Sequence, residues 1–403
     1  MTLKKTEPYY LLLFCLLFLS WSVHPALHQV IAQGQAQDPL IFFYPSYLSP
    51  DSRLLAIEIW SRQGKDSPFK KDIGFLNFRN GHLLPRTISR SLLDFNSDSS
   101  YIEGEGLCWD PEYSERVYFT LQRYDPQESS FKLANVLFRY NVSTSTLETM
   151  LLGLEVDGIV FPIAAKDGKH VFFIGYRGKR NNADSTSVLG VYNLQLGKVD
   201  ILAKEIDTFR PLLSPDNTRI LFRRNGDLFV MPAYGGPHVR LTSFNGDSRI
   251  ISTYWEGEKI YFIRLTPPYE QLSRELKDFF RGKKNIEEPS YTRELWEISL
   301  KEGRPYLRRI EVFKTMKLGT DLYRNTFVVP LQEDHHNSSI WKYEIQQGSL
   351  GRLTSGKYTD DLPMIVHKER SILFRRNGMA LYRTDIEGED EPQLLFGGRS
   401  SGP

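Results

Sequence analysis

The residues with the clearest chemical potential in this 403-residue chain are carboxylates. Four aspartates stand shortly before turn signals in repeated segments of the sequence: Asp157, Asp207, Asp247 and Asp361. If these positions converge in space, their carboxylates could hold a divalent cation or attract a basic segment of a partner. Aspartate also favours turns, because its side chain bonds to nearby backbone, so a structural role stays open.

A second group of oxygen donors is spaced like a calcium loop. Asp94, Asn96, Asp98 and Glu105 stand at the first, third, fifth and twelfth positions, which are ligand positions in such loops. Ser99, however, replaces the glycine that makes the sharp turn, and no helices are predicted on either side. A polar loop between repeats is therefore the alternative interpretation, and no metal site is assigned firmly.

Two further motifs carry weaker signals. Glu333-Asp334-His335-His336 places two imidazoles beside two carboxylates, but adjacent histidines on an extended chain point apart, which favours a solvated loop over a metal site.

Gly398–Gly402 matches G-x-S-x-G, the pattern around a hydrolase serine. That chemistry needs a helix after the serine, and none is predicted here. We therefore expect a flexible tail over 399–403 and assign no catalytic residue.

An internal repeat would position these residues. The heptapeptide ILFRRNG occurs at 220–226 and again at 372–378. The first copy follows the turn signal Ser214-Pro215-Asp216 and contains Asn225-Gly226, a two-residue hairpin signal. Its strands are apolar without alternation, which predicts a small sheet covered on both faces by further copies. The arginine pairs that recur with the hairpin are expected to make solvated edges or ion pairs between blades.

We count seven such copies between residues 33 and 398. Repeats of small antiparallel sheets are typical of β-propellers. We therefore predict an all-β fold, a single β-propeller of about seven four-stranded blades; six or eight blades stay open, because copies two, three and six match the pattern poorly. The first and last copies must meet, since closure removes exposed sheet edges. The four aspartates would then lie near one mouth of the central channel.

One segment interrupts the repeat. Residues 267–291 are inserted between the second and third strands of copy five. Within them, 269–281 carries leucines and phenylalanines at helical spacing, between a proline pair and Gly282. We predict one helix here. It would either pack against the propeller or serve as a lid or partner-docking element over the channel mouth.

The repeat resembles that of the TolB-type propeller family, also called WD-like or PD40 repeats. The family's unit has a Ser-Pro-Asp turn, two apolar strands, a Gly-Gly turn and a final Leu-Thr, and residues 211–242 follow it throughout. Ser49-Pro50-Asp51 begins another copy. The resemblance implies a propeller. TolB itself has an α/β domain before a six-bladed propeller and works in the Gram-negative envelope beside a lipoprotein partner; that preceding domain is not expected here.

Residues 1–32 are expected to be a secretory signal peptide. Lys4 and Lys5 precede an apolar run at 9–23, and Val30-Ile31-Ala32 offers small residues for cleavage. The run is shorter than the roughly 20 residues that a membrane span needs, so no span is expected after signal removal; a retained anchor is the alternative. The protein would be periplasmic or secreted. Cys108 would then be the single cysteine, predicted to be a buried small hydrophobe.

The composition limits the classes of partner that the protein is expected to bind. The formal net charge is only +2, which predicts no nucleic-acid partner. The favoured hypothesis is an exported, monomeric, non-enzymatic propeller that binds a protein or another envelope ligand, with no cofactor beyond a divalent cation such as calcium. The alternative is a carbohydrate-active hydrolase or lyase with its site at the channel mouth. The fold alone does not decide between them.

Overall fold

The computed structural model describes residues 40–397, with the exception of 43–46, 62–69, 89–99, 102–105, 126–129, 152–155, 157, 178–185, 208, 245–248, 267–291, 302–304, 314–315, 317–318 and 335. The predicted signal peptide, the predicted helix at 269–281 and the predicted tail lie outside these described residues. Within them, no helix has the length and apolar character needed to cross a bilayer.

Seven antiparallel sheets form a ring, which confirms the predicted propeller and its number of blades. Each blade is built from consecutive strands, so chain order and spatial order agree. Blades 1 to 4 contain the following strands: β1 (Leu40–Phe42), β2 (Leu54–Ser61), β3 (Lys70–Asn77) and β4 (Leu83–Ile88); β5 (Ser100–Tyr101), β6 (Leu107–Trp109), β7 (Arg116–Asp125), β8 (Ser130–Asn141) and β9 (Thr146–Leu151); β10 (Gly158–Ala164), β11 (His170–Arg177), β12 (Thr186–Asn193) and β13 (Lys198–Lys204); β14 (Leu212–Leu213), β15 (Arg219–Arg224), β16 (Asp227–Pro232) and β17 (Val239–Arg240).

Blades 5 to 7 contain the following strands: β18 (Arg249–Glu256), β19 (Lys259–Thr266), β20 (Thr292–Ser299) and β21 (Tyr306–Phe313); β22 (Asp321–Tyr323), β23 (Thr326–Gln332), β24 (Ser338–Glu344) and β25 (Ser349–Arg352); β26 (Asp360–Val366), β27 (Ser371–Arg376), β28 (Ala380–Asp385) and β29 (Gln393–Gly397). Blade 2 differs from the others because its innermost strand is divided into β5 and β6, which both pair with β7.

The packing explains why the middle strands are apolar without alternation. Ile220, Leu221 and Phe222 are all buried in β15. Ile220 and Phe222 pack in a core shared with blade 3, while Leu221 packs in a core shared with blade 5. Successive side chains of a strand point to opposite faces, so a blade between two neighbours buries both. Outermost strands lack that cover; all four residues of β25 are exposed.

The ring closes by side-chain packing between the first and last blades. One core cluster contains Leu373 and Leu381 of blade 7, Ile57 and Phe75 of blade 1, and Trp109 of blade 2. The other five clusters each join two successive blades, so every junction around the ring has an apolar core. Among the described strands, blades 1 and 7 each consist of their own consecutive strands, β1 to β4 and β26 to β29.

Local hydrogen bonds explain the repeated motifs. In the Ser-Pro-Asp turn, the hydroxyl of Ser214 donates to Asp216 at 2.5 Å and accepts from the amide of Arg219 at 2.9 Å. Asn225 and Gly226 both have positive φ, 50° and 80°, as a type I′ hairpin turn requires. Cys108 is a free, buried cysteine, as predicted, and burial raises the pKa of its thiol to about 12.

Candidate functional site

The two ends of the ring are built differently. Because the strands of each blade are antiparallel, connections between second and third strands lie at the same end as the connections between blades. We call this end the loop face and the opposite end the turn face. β19 ends and β20 begins at the loop face, and the insertion 267–291 lies between these two strands in the sequence. Asp207 and Asp361 precede or begin innermost strands and lie at the same face.

At the turn face, the first turns of neighbouring blades are in contact. These contacts follow one another around the whole ring: Arg53 with Glu115 (4.0 Å), Glu112 against Gly168, the ammonium of Lys166 to the carbonyl of Pro215 (2.7 Å), Arg219 with Glu258 (3.0 Å), the Arg324 amide to Glu256, the rings of Tyr323 and His367 (3.7 Å), and Lys368 to the carbonyl of Pro50 (3.1 Å). Exposed contacts of this kind stabilise little individually. Together they link the first turns of every pair of neighbouring blades.

At the loop face, the carboxylate of Asp207 accepts hydrogen bonds from the ILFRRNG hairpin of blade 4. Its carboxylate accepts from Nε of Arg223 at 2.8 Å and from the amides of Asn225 and Gly226 at 2.9 and 2.8 Å. The same arginine donates to the carbonyl of Ile250 at 2.7 Å and so connects blade 4 with blade 5. Both oxygens of Asp207 are therefore engaged by the blade's own groups.

Asp361 occupies the corresponding role in blade 7. Its carboxylate accepts two hydrogen bonds from Arg375, both at 2.7 Å, and both residues are buried. Beside them, Arg376 donates to Asp360 at 2.8 and 3.0 Å. Burial raises the pKa of Asp360, and the guanidinium of Arg376 opposes that effect. Arg223, Arg375 and Arg376 thus make ion pairs with carboxylates at or just before the innermost strand of their own blade, rather than the ion pairs between blades that were expected, and Arg224 donates to the carbonyl of Lys204 at 2.7 Å.

The remaining candidate ligands of the loop face are only partly described. Asp157 and Asp247 lie outside the described residues, as do all four members of the calcium-loop candidate, Asp94, Asn96, Asp98 and Glu105. The site formed by four aspartates near the channel mouth therefore stays a prediction. Among the residues that the structure describes, no group of three or more histidine, cysteine, aspartate or glutamate side chains is arranged to hold a metal ion.

The Glu333–His336 segment connects β23 with β24, also at the loop face. Glu333 pairs with Arg352 at 3.2 Å. Asp334 accepts from the amides of His336 and Asn337, both at 2.7 Å, and these bonds lower the pKa of its carboxyl. His335 lies outside the described residues. Asp334 thus stabilises the turn, while Glu333 connects it with β24 and β25 of the same blade.

Asp321 is a buried carboxylate that the sequence did not single out. Its oxygens accept from the amide of Leu322 and from the amide of Ile365 in blade 7, both at 2.8 Å. Burial raises its pKa to about 7, against the opposing effect of the two amides, and the charge of Glu256 adds to the rise. Its only sequence signal is a carboxylate beside the apolar Leu322 at the start of a strand. The contact with Ile365 makes Asp321 a connection between blades 6 and 7.

Comparison with known proteins identifies the fold alone. No model of a protein family matches the chain, and no curated protein matches it. Similar solved structures include one from a study of two prolyl endopeptidases (TM-score 0.59, 10% identity, 94% of this chain and 53% of that one). A second is an oligogalacturonate lyase in complex with manganese (TM-score 0.57, 11% identity, 90% and 93%). A third is the β-propeller domain of the Trilobed protease from Pyrococcus furiosus (TM-score 0.54, 11% identity, 90% and 97%).

These likenesses agree with the ring described above. The chain spans about half the length of the prolyl endopeptidase that it matches, 53% of that chain, and nearly all of the propeller domain from the Trilobed protease. The neighbours thus include propellers attached to peptidases and a propeller that is itself a lyase. One ring architecture serves different chemistries, so function has to be argued from this chain's own faces.

Proposed function

We propose that this chain is an exported, non-enzymatic β-propeller that binds a protein or another ligand of the cell envelope through its loop face. The observation that carries the proposal is the difference between the two ends of the ring. Contacts between first turns link neighbouring blades at the turn face, whereas the strands on either side of the 267–291 insertion, β19 and β20, meet at the loop face. Connecting loops on a rigid scaffold are where propellers and other folds place their binding residues.

Two of the predicted site aspartates, Asp207 and Asp361, are engaged by their own blades rather than placed for catalysis. General acid–base chemistry needs a carboxylate free to exchange a proton with a substrate. Asp207 and Asp361 are instead held by arginines and backbone amides of their own blades. Removing the carboxylate of Asp361 would leave the buried charge of Arg375 without this partner, which is costly. These two aspartates are therefore assigned to the architecture of the face.

The finer assignment to the TolB-type family is part of the proposal. Its final Leu-Thr has a structural reason in this chain. The hydroxyl of Thr242 accepts from the amide of Leu228 at 2.9 Å, and the hydroxyl of Thr354 accepts from the amide of Ile340 at 3.0 Å. Each bond attaches the end of the outermost strand to the third strand of its blade. Export itself rests on the signal pattern at 1–32.

The proposal is tested by shortening the insertion. In β19 and β20, Thr266 pairs directly with Thr292. A two-residue Asn-Gly loop can therefore replace 267–291 as a type I′ hairpin, like the one at Asn225-Gly226. We expect this variant to keep its circular dichroism spectrum. Affinity capture of the tagged, exported full-length protein from its native envelope should recover a partner that the shortened variant fails to recover.

A matched control changes the other face. Glu258→Gln removes one turn-face ion pair, with Arg219, and should leave partner capture unchanged. Loss of the partner with Glu258→Gln, together with retention of the partner after the insertion is shortened, would contradict the proposed face.

The enzymatic alternative is tested by a separate activity measurement. Turnover of oligogalacturonate by the purified chain with manganese would replace the binding proposal by a lyase function, the activity named for two of the similar structures.

A further inference from the structure

A small polar cavity opens on blade 7, away from the loop face. Its volume is about 260 Å³, and its lining includes the acidic residues Glu369, Asp385, Asp390 and Glu391 together with Arg383 and Ser371. It lies at the turn face, because Glu369 belongs to the turn before β27 and Asp390 to the turn before β29. The guanidinium of Arg383 lies 5.9 Å from the ring of Phe78 in blade 1. The cavity is thus beside the junction that closes the ring.

The charges around this cavity are unequal. Four carboxylates face one guanidinium, and Arg383 is already paired with Glu369 at 3.3 Å. Asp385 is fixed in place by the amides of Glu387 and Asp390, at 2.7 and 2.6 Å. Burial would raise its pKa, but these amides outweigh burial and lower it. The carboxylates of Asp390 and Glu391 have no cationic partner among the described residues. Three negative charges are left in excess.

Ser371 gives an independent indication of a ligand. The residue is 5% exposed, and its hydroxyl oxygen is buried without a hydrogen-bond partner in the described structure. Ser371 lies directly opposite Asp385 in the pairing of β27 with β28. Directly opposed residues project from the same face of a sheet, so the Ser371 side chain points to the cavity side of the blade. A buried, unpartnered hydroxyl calls for a water or a ligand atom.

These features define the chemistry of the ligand. It must be positively charged, small, and able to donate several hydrogen bonds. No three carboxylates of the described chain converge closely enough for a metal ion, so the negative charge is spread along the cavity. We propose that the cavity binds a primary ammonium group on a short aliphatic chain, whose charge lies between Asp390 and Glu391 and which donates to the hydroxyl of Ser371. Such a group is supplied by a free diamine or by a lysine side chain of a partner.

The proposal is tested by titrating the full-length protein calorimetrically with 1,4-diaminobutane. We expect saturable binding that weakens as salt is added, because salt screens the carboxylates. Butane-1,4-diol has a similar shape without charge and should give no saturable heat. Nα-acetyl-lysine amide, titrated in parallel, distinguishes the two sources: tighter binding than the diamine favours a partner's lysine, and weaker binding favours a free diamine. Equal responses to the diamine and the diol would overturn the proposal.

Variants then locate the site. Asp390→Asn and Glu391→Gln should each weaken diamine binding about two- to fivefold, as partly exposed ion pairs do. Glu389→Gln is the matched control, since it removes the same charge from the same turn but does not line the cavity; it should change the dissociation constant less than twofold. Ser371→Ala should weaken binding without lowering the melting temperature. An unchanged dissociation constant in Ser371→Ala, or a Glu389→Gln effect equal to that of Glu391→Gln, would assign these residues a structural role only.

Discussion

The carboxylate of Asp361 and the guanidinium of Arg375 form a bidentate ion pair in blade 7, with both hydrogen bonds at 2.7 Å. The two residues lie opposite each other on the innermost and second strands, and each is only 2% exposed. In blade 4, Arg223 takes the position of Arg375 in the repeated heptapeptide and pairs with Asp207. The first arginine of ILFRRNG therefore joins the second strand to the segment that carries the innermost strand in both blades.

Removing the arginine of the buried pair should destabilise the protein strongly. Arg375→Met leaves the Asp361 carboxylate buried without its counter-charge. Breaking a buried pair from one side typically lowers the free energy of unfolding by roughly 3–5 kcal/mol. Urea unfolding followed by tryptophan fluorescence measures this loss. We expect the midpoint to fall without a large change in the slope of the transition.

The homologous pair of blade 4 serves as the comparison. Arg223→Met should cost less, because the side chain of Asp207 is 25% exposed and keeps the amides of Asn225 and Gly226. The double variant Asp361→Leu/Arg375→Met should regain most of the stability lost in the single variant, since neither charge remains. If Arg375→Met and Arg223→Met cost the same, burial is not what makes the blade 7 pair important.

The closing junction of the ring can be probed at a single glycine. Gly81 has a φ of 68°, and a Cβ added there would lie 2.0 Å from the carbonyl oxygen of Leu395 in blade 7. Gly348 has almost the same φ, 64°, in the matching turn of blade 6, with nothing within 4 Å. Alanine at either position costs roughly 1–2 kcal/mol for the left-handed backbone. Gly81→Ala should cost about 1–3 kcal/mol more, from overpacking at the junction.

Thermal unfolding of the two alanine variants measures the difference directly. Because the backbone conformation and the substitution are the same, the excess loss in Gly81→Ala reports only the contact between blades 1 and 7. Equal melting temperatures for Gly81→Ala and Gly348→Ala would mean that β29 can move aside freely. The ring would then be less tightly closed at this junction than the close approach to Leu395 implies.

The fold could be predicted because its signals are local. The turn at Ser214-Pro215-Asp216 and the hairpin at Asn225-Gly226 depend on bonds and φ values within a few residues. Recurrence of the same heptapeptide then identified the chain as a repeat protein and fixed the register of the copies. The number of blades was less certain from sequence, and blade 2 shows a physical reason. Its innermost strand is divided between Ser100–Tyr101 and Leu107–Trp109, so no continuous apolar run marks it.

The roles of the aspartates could not be predicted in the same way. Whether Asp361 points to the channel or to Arg375 depends on the register of β26 against β27. That register shifts between Asp361 and Met364, where Leu362 adopts a φ of 48°. A shift of one residue moves a side chain to the other face of a sheet, and the sequence gives no sign of it. Asp321 was missed for a related reason, because its partner Ile365 is 44 residues away in the next blade.

Cys108 should be unreactive in the folded protein. Burial raises the pKa of its thiol to about 12, so almost no thiolate is present at pH 8, and the thiolate is the form that reacts. Treatment with iodoacetamide at pH 8, followed by mass spectrometry of the peptide that contains Cys108, should show little modification in buffer. In urea the same peptide should be modified fully. Rapid modification without denaturant would show that the inner strand of blade 2 opens readily.

Asp321 gives a prediction about pH. Burial raises the pKa of its carboxyl from 3.8 to about 7, so the folded protein holds this proton more tightly than the unfolded chain does. Between those two values the folded state binds more protons. Stability must therefore fall as the pH rises from about 4 towards about 7, and the contribution of Asp321 is constant above that range. The direction is opposite to that of an aspartate stabilised by a salt bridge.

The measurement compares the protein with Asp321→Asn at pH 5 and pH 8. The asparagine side chain has one oxygen, which can accept from one of the two amides, of Leu322 or Ile365, and it cannot ionise. On going from pH 5 to pH 8 the parent protein should lose more free energy of unfolding than the variant, by an amount on the order of 1–3 kcal/mol. Other titrating groups, such as His367, whose pKa is lowered by burial and by Arg324, are present in both proteins and cancel. If the two proteins lose the same amount, ionisation of Asp321 does not loosen the junction between blades 6 and 7, and its carboxylate is already charged at pH 5.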